Sequence, residues 1–385
     1  MTVSESSLDH VLEVFERNFA ERNELGASVS IWQDGEEILS HSSGWCEREQ
    51  LRPWTDRTLV PVWSATKGPA ATCVLHALDA AGISLSAPVA SRWPEFAAAG
   101  KQDISHAQIL SHQAGLAALD TQVDSFDYDS VIRVIEAQAP GWVPGGAHGY
   151  HPRSFGYLLD EIVRRTSGAA SLGGYWREHF AEPLGLDFWI GLPESEGARV
   201  AKLYSGRMQN TPGEEQFYRA FADAESLPRR AFASPSGIAA VTGMNDPRAQ
   251  RAGLPAMGGV GSASSLGKFY ALLARGGEWD HRRYISDESL IQAETTLASG
   301  TDQTFHMETA FSAGFMKDPP DPSGDKHRQL FGPESRAFGH PGAGGSHAFA
   351  DPENGIAFAY TMNQMSYGVL PNARSLEMIA ALYGG

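Results

Sequence analysis

Residues 59–82 read LVPVWSATKGPAATCVLHALDAAG, and within them Lys67 follows Ser64 by three positions. The spacing alone decides nothing, because it recurs at Ser265/Lys268 and Ser323/Lys326. The surroundings separate the three pairs. Ser323 lies in KDPPDPSGDKHRQ, where prolines and Gly324 forbid a helix, so both side chains read as solvated in a surface loop. Ser265 sits at the start of a helical pattern over 264–277. There Ser264 or Ser265 would cap the helix and Lys268 would share the exposed face with Arg275. An ammonium in water keeps its proton near pH 7 and makes a poor base.

Ser64 differs in what flanks it. It follows the apolar run 59–63 and heads a helical pattern ending near Gly82, with Pro69 tolerated in the first turn. Free N–H groups at a helix start favour developing negative charge. No residue from 68 to 78 carries a formal charge, so this helix is expected to be buried nearly all round, with Lys67 pointing into protein. One helical turn then separates Ser64 and Lys67 on the same face. Burial lowers a lysine pKa towards the range of a useful general base. A lysine base needs no His–Asp relay, and serine–lysine pairs are an established form of activated nucleophile. The rival nucleophile elbow, G-x-S-x-G, occurs nowhere in the chain.

The rest of the chain sets the frame. It has 385 residues, 42% of them apolar and 20% charged, enough for one large or two modest domains. A formal charge of −16 opposes nucleic-acid and anionic-membrane partners. The N-terminus lacks a basic-then-apolar leader and instead places Val11, Leu12, Val14, Phe15 and Phe19 at helical spacing. Two cysteines, Cys46 and Cys73, cannot form a disulfide framework, so a reduced, cytoplasmic location is expected. No metal-ligand spacing and no phosphate-binding glycine loop is found, so no cofactor is expected.

Residues 27–45 form two strand-like runs about Asp34-Gly35, and 345–362 form another pair about PENG. Helical patterns lie at 104–116, closed by Gly115, and over SFGYLLDEIVRRTSG, EEQFYRAFADA and NARSLEMIAALYG. Strands near both termini with helices between them predict one mainly antiparallel sheet and a helical insertion. The expected division is 1–78 with 258–385 as the α/β sheet domain and 79–257 as the mostly helical one.

VWSATKG, ILSHQAGL, WVPGG…GYHPRSFGYLLDEIVRRTSG, FWIGLPE, MGGVGSASSLGKF and FGHPGAGGSHAFADPENG stand in this order along the chain. With these the sequence resembles the serine β-lactamase-like family, the penicillin-binding-protein fold, and within it the class VIII carboxylesterases, from about residue 20 to the C-terminus. The resemblance implies an α/β (α+β) fold with the site between the sheet and the helical domain. It implies Tyr150 as the catalytic tyrosine near Ser64 and Lys67, although anchoring on Leu158-Leu159 shifts the match by one to His151. It implies that His340-Pro341-Gly342 is a strand edge lining the site, with His340 and Gly342 next to substrate. The oxyanion hole would be the N–H groups of Ser64 and Ala343.

Two departures bear on substrate. Tyr150-His151-Pro152 lacks the asparagine that many β-lactamases carry two positions after this tyrosine, and His340 replaces a permanently charged lysine. Both favour neutral esters over β-lactams. The implied activity is cleavage of small carboxylic esters through an acyl-enzyme on Ser64. Lys67 and Tyr150 share the proton transfers, and their order is left open. The same scaffold could instead serve a β-lactamase, an amide hydrolase or D-peptidase, an acyltransferase, or a non-catalytic binding protein. His112, in LSHQAGL, reads as a histidine bonded to backbone at a helix junction. The loop-rich stretch 193–257 is expected to shape the pocket.

Overall fold

The computed structural model describes residues 1–207, 212–321 and 323–384. Its strands, in chain order, are β1 (Gly26–Gln33), β2 (Glu36–Gly44), β3 (Val60–Pro61), β4 (Phe188–Ile190), β5 (Gly259–Gly261), β6 (Glu278–Trp279), β7 (Arg282–Arg283), β8 (Ala298–Thr301), β9 (Glu308–Phe311), β10 (Met316–Lys317), β11 (Phe338–Pro341), β12 (His347–Asp351) and β13 (Ile356–Met362). Eight of them make an antiparallel sheet in the order β2-β1-β13-β12-β11-β10-β9-β8. Strands from the two ends of the chain therefore meet at β1 and β13, as the turn-linked pairs predicted.

The β1–β2 turn places Asp34 at φ +51° and Gly35 at φ +87°, the left-handed pair that a two-residue hairpin needs. Register then sorts residues by size. Val29 faces Tyr360 and Ile31 faces Phe358, so one side of the sheet carries large side chains. Phe15 of the helix Glu5–Glu21 packs on that side, 6.4 Å from the Tyr360 ring, and this helix packs against Ala373–Leu382. On the other side Ser30 and Ala359 are small, and the helix Ala263–Ala274 lies close over them. A Cβ at Gly267 would meet Ser30 Oγ at 2.7 Å, so glycine there permits this approach.

The helix Lys67–Ala80 is buried at every position from Lys67 to Leu78 except His76, as its lack of charge predicted. It packs against the helices Ser154–Ser167 and Leu172–Trp176.

Several local expectations change. The helix expected over 104–116 spans only His106–Leu110, opened by a Ser105/Gln108 capping box. The chain leaves it through His112 at φ +61°, and Gly115 belongs to a later turn, so Gly115 does not close the helix. The stretch expected to be mostly helical contributes β4, which pairs with β5, and β5 in turn pairs with β3 just before Ser64. Residues 208–211, part of the loop-rich stretch, lie outside the described residues. Among the described residues no helix is long and apolar enough to cross a membrane.

Candidate active site

β3 leads into Trp63, whose backbone stands at φ +50° and ψ −129°. A bulky residue tolerates that region only when its surroundings impose it. Here the Val62 N–H is held by the Gly259 carbonyl at 2.9 Å, and Trp63 bridges to Gly258. The bend delivers half-buried Ser64 to the head of a short 3-10 turn, Ser64–Thr66, which runs into the helix starting at Lys67. The first turn is thus tighter than the α-helical start expected.

Lys67 is fully buried. Its Nζ lies 3.3 Å from Ser64 Oγ, 3.0 Å from the Pro152 carbonyl and 2.8 Å from the Ala256 carbonyl. Among the described residues no carboxylate is within ion-pair distance of it, and burial holds its pKa well below the usual lysine range. A neutral amine has two N–H bonds and one lone pair. The two carbonyls can only accept, so they take both N–H groups and leave the lone pair for the Ser64 hydroxyl proton.

Tyr150 is also buried, with Lys67 Nζ 4.8 Å from its ring centroid. Burial raises the pKa of its phenol, and the facing Ser64 hydroxyl lowers it by a smaller amount. The neighbouring His151 has both ring nitrogens occupied. Nδ1 donates to the Gly149 carbonyl at 2.6 Å, and Nε2 accepts the Leu116 N–H at 3.0 Å. Of the two alternatives, Tyr150 is therefore the side chain that faces the serine. His112 is bonded to backbone as expected, its Nδ1 accepting the His151 N–H at 3.2 Å.

His340 lies on β11 with its ring 5.9 Å from that of Tyr150. Its Nδ1 donates to the Pro341 carbonyl at 2.8 Å. Burial, with Lys67 nearby, pushes its pKa down to about 3, so it stands neutral. Gly342 donates its N–H to the Ser346 carbonyl at 2.6 Å. A Cβ at Gly342 would overlap the Val62 carbonyl oxygen, so only glycine lets this edge reach the chain beside Ser64. Ala343 then lines the same cavity as Ser64, and neither N–H has a backbone acceptor among the described residues. Gly342→Ala is expected to lower stability by about 1–3 kcal/mol through overpacking. Thermal unfolding measures the effect, and an unchanged melting temperature would refute the close approach.

The cavity beside Ser64 has a volume of about 350 Å³ and apolar walls, including Phe217, Tyr218, Phe232 and Met257 from the loop-rich stretch. Its other wall, Met365 to Val369, had no signal in the sequence. A larger cleft of about 560 Å³ beside Arg177 and Trp189 contains none of Ser64, Lys67 and Tyr150. Among the described residues no group of three or more His, Cys, Asp or Glu is arranged to hold a metal ion.

The sequence reading missed Asp302. This buried carboxylate accepts the Tyr150 N–H at 3.0 and 3.1 Å and the N–H groups of Thr304 and Phe305 at 2.7 and 2.8 Å. Phe305 in turn stacks on the Tyr150 ring at 4.6 Å. The available signal was Asp302-x-Thr304, an aspartate poised to bond the backbone two residues on.

The other serine–lysine pairs need correction in detail. The helix Ala263–Ala274 is capped by Ser262, while Ser265 Oγ accepts the Asp187 N–H at 2.7 Å. Lys268 is half-buried rather than solvated and donates to the Leu184 carbonyl at 2.7 Å. Lys326 is also largely covered, bonding Asp318 at 3.1 Å and the Gly332 carbonyl at 2.7 Å, while Ser323 turns to Asp321. In neither pair does the lysine bond the serine; each amine bonds elsewhere.

A mainly antiparallel sheet with helices on both faces, and a serine–lysine pair at the head of a buried helix, make up the β-lactamase/penicillin-binding-protein fold. The chain belongs to the Beta-lactamase family, whose model matches residues 15–382. It is 31% identical over 364 residues to the esterase/beta-lactamase LipL of Mycobacterium tuberculosis, covering 92% of this chain and 81% of that one. The crystal structure of a family VIII carboxylesterase superposes with a TM-score of 0.86 at 34% identity, covering 100% of this chain and 98% of the other. A penicillin-binding protein homologue from Caulobacter crescentus does so with a TM-score of 0.84 at 36% identity, with the same coverage.

Proposed function

We propose that the protein is a cofactor-independent serine hydrolase that cleaves small, uncharged carboxylic esters. The observation that carries the reading is the buried Lys67 amine, held by two carbonyls at 2.8 and 3.0 Å with Ser64 Oγ 3.3 Å away. In the first half-reaction Ser64 Oγ bonds to the ester carbonyl carbon while its proton passes to Lys67. The Ser64 and Ala343 N–H groups hold the oxyanion. Collapse breaks the bond to the alkoxy oxygen, which leaves as the alcohol with a proton delivered from the Lys67–Tyr150 pair. Water then bonds to the acyl carbon and gives a proton to the same pair; the acyl–Oγ bond breaks, the pair returns that proton to Ser64 Oγ, and the acid is released.

Ester rather than β-lactam specificity is supported by the charges around the cavity. A β-lactam carries a carboxylate and needs a cation to meet it. Arg153 lines the cavity, and its guanidinium is oriented by the Pro235 carbonyl at 2.7 Å and the Ile238 carbonyl at 2.8 Å, away from the position where a lysine would sit in place of His340. His340, where a lysine would serve that purpose, stands neutral. The family VIII structure is named a carboxylesterase, and LipL is named both esterase and beta-lactamase, so ester cleavage is common to both. Intact-protein mass spectrometry after incubation with a phosphonate ester tests it. One adduct, mapped to the peptide holding Ser64, is expected, and an unlabelled protein sinks the proposal. Nitrocefin turnover well above ester turnover would move the assignment to a β-lactamase.

The pH profile carries a sign. The active form of Lys67 is the neutral amine, and burial lowers its pKa, so the plateau of kcat/KM extends to lower pH than an ordinary lysine base would allow. It then falls about tenfold per pH unit once pH drops below that lowered value. The raised Tyr150 phenol stays protonated across the same plateau. A kcat/KM that instead rises on acidification below neutral pH would contradict the assignment of Lys67 as base.

A further inference from the structure

The cavity beside Ser64 is walled by two segments far apart in sequence. The helix Glu215–Phe221 contributes Phe217, Tyr218 and Phe221, and the chain after β13 contributes Met365, Tyr367 and Val369. Several contacts join the two along one seam. The Glu214 carboxylate, buried at 2% exposure, accepts the Val369 N–H at 3.1 and 3.2 Å and the Leu370 N–H at 3.1 Å. The Tyr218 ring stacks on Tyr367, with centroids 4.6 Å apart and planes at 21°.

Both sides of the seam are anchored to the catalytic machinery. On one side the Ser366 N–H donates to the Gly344 carbonyl at 2.8 Å, next to Ala343. On the other, Phe217 packs 5.8 Å from Phe305, whose ring stacks on Tyr150. A carboxylate is expensive to bury, and its loss would leave two main-chain N–H groups without acceptors. The seam therefore resists parting under the push of a ligand.

We infer that Glu214 and the Tyr218–Tyr367 stack form a clasp that closes the cavity wall and limits the substrate to a short-chain or single-ring apolar group. The inference rests on the ester-hydrolase reading and names the substrate class for it. Glu214 touches no substrate in this scheme and is a positioning residue, while Tyr218 and Tyr367 set specificity by contact. A cavity of about 350 Å³ is small for a ligand site, towards the low end of the roughly 300–1,000 Å³ range, which suits such a group.

The experiment measures kcat and KM for p-nitrophenyl acetate, butyrate, octanoate and dodecanoate. It compares the wild type with Tyr218→Ala, Glu214→Ala and Glu214→Gln, each normalised to the fraction labelled by the phosphonate. The wild type is expected to favour butyrate over octanoate by at least about tenfold in kcat/KM. Tyr218→Ala, a change at a half-buried position that folding should tolerate, is expected to raise the octanoate-to-butyrate ratio about tenfold, chiefly through KM. Glu214→Ala shifts it the same way, and Glu214→Gln, which keeps a carbonyl acceptor for the seam, stays nearer the wild type. An unchanged ratio in both alanine variants, with Ser64 still fully labelled, overturns the clasp and leaves the ester-hydrolase reading standing. A wild type that takes no label overturns the reading beneath it.

Discussion

Ser64→Ala is expected to lower kcat/KM for p-nitrophenyl butyrate by roughly 10⁴–10⁶-fold, the loss seen when a nucleophile that works as a unit with its base is removed. The methyl group cannot form the acyl-enzyme, so burst kinetics disappear along with turnover. What survives is the electrostatic help of the two backbone N–H groups, at positions 64 and 343, and the cavity itself. Ser64 is half-buried, and its Oγ meets the Lys67 amine at 3.3 Å and the Tyr150 phenol, so truncation should leave the melting temperature within a few degrees of wild type. Circular dichroism on the same sample separates lost chemistry from lost fold. A folded Ser64→Ala protein retaining more than about a tenth of the activity would remove this serine from the reaction.

Lys67→Met is expected to cost roughly 10²–10⁴-fold in kcat, the usual contribution of a positioned general base, with KM little changed. Methionine is close to lysine in length and apolar, so it fills the buried site without a cavity. It lacks the lone pair that takes the Ser64 proton. It also leaves the Pro152 and Ala256 carbonyls without their donor, each at about 1–3 kcal/mol, so the melting temperature should fall as well. The two effects are separated by pre-steady-state acylation of the folded fraction. A drop below about tenfold per folded molecule would point to Tyr150 as the sole base.

A comparison with Tyr150→Phe sharpens this. Phe retains the stacking on Phe305 and loses only the hydroxyl facing Ser64. Because Lys67 Nζ lies 4.8 Å from the Tyr150 ring and both groups face Ser64, the two single variants should not be additive. A double variant no worse than the poorer single one is the expected signature of a shared proton path.

Much of the fold is legible in local pattern. The Asp34-Gly35 turn, the alternating stretch after Ser346 and the charge-free run after Lys67 each report a period or an environment that the chain then adopts. The short helix His106–Leu110 shows where pattern fails. Apolar residues continue beyond it, but the chain turns at His112 to place that ring between Tyr150 and Phe155. Tertiary packing overrode the local periodicity there. Lys268 and Lys326 show the same limit: hydropathy assigned both to solvent, while the Leu184 carbonyl, far along the chain, and the Gly332 carbonyl, six residues on, hold them against the protein.

By itself the sequence determined which serine is exceptional. A charge-free helix must be buried, and burial is what turns an ordinary lysine into a candidate base, so Lys67 stood apart from Lys268 and Lys326 before any contact was known. Only the tertiary structure decided what completes the site. The groups that take the Lys67 N–H bonds are the carbonyls of Pro152 and Ala256, and every residue type carries a carbonyl, so no side chain announces them. The choice of Tyr150 over His151 rests on which ring is already satisfied by Gly149 and Leu116. The cavity is closed by residues near 218 and 367, whose contact depends on how the whole chain returns to the sheet. Burial of a helix is written in its own composition, whereas a hydrogen-bond partner or a facing wall is a property of two distant segments brought together.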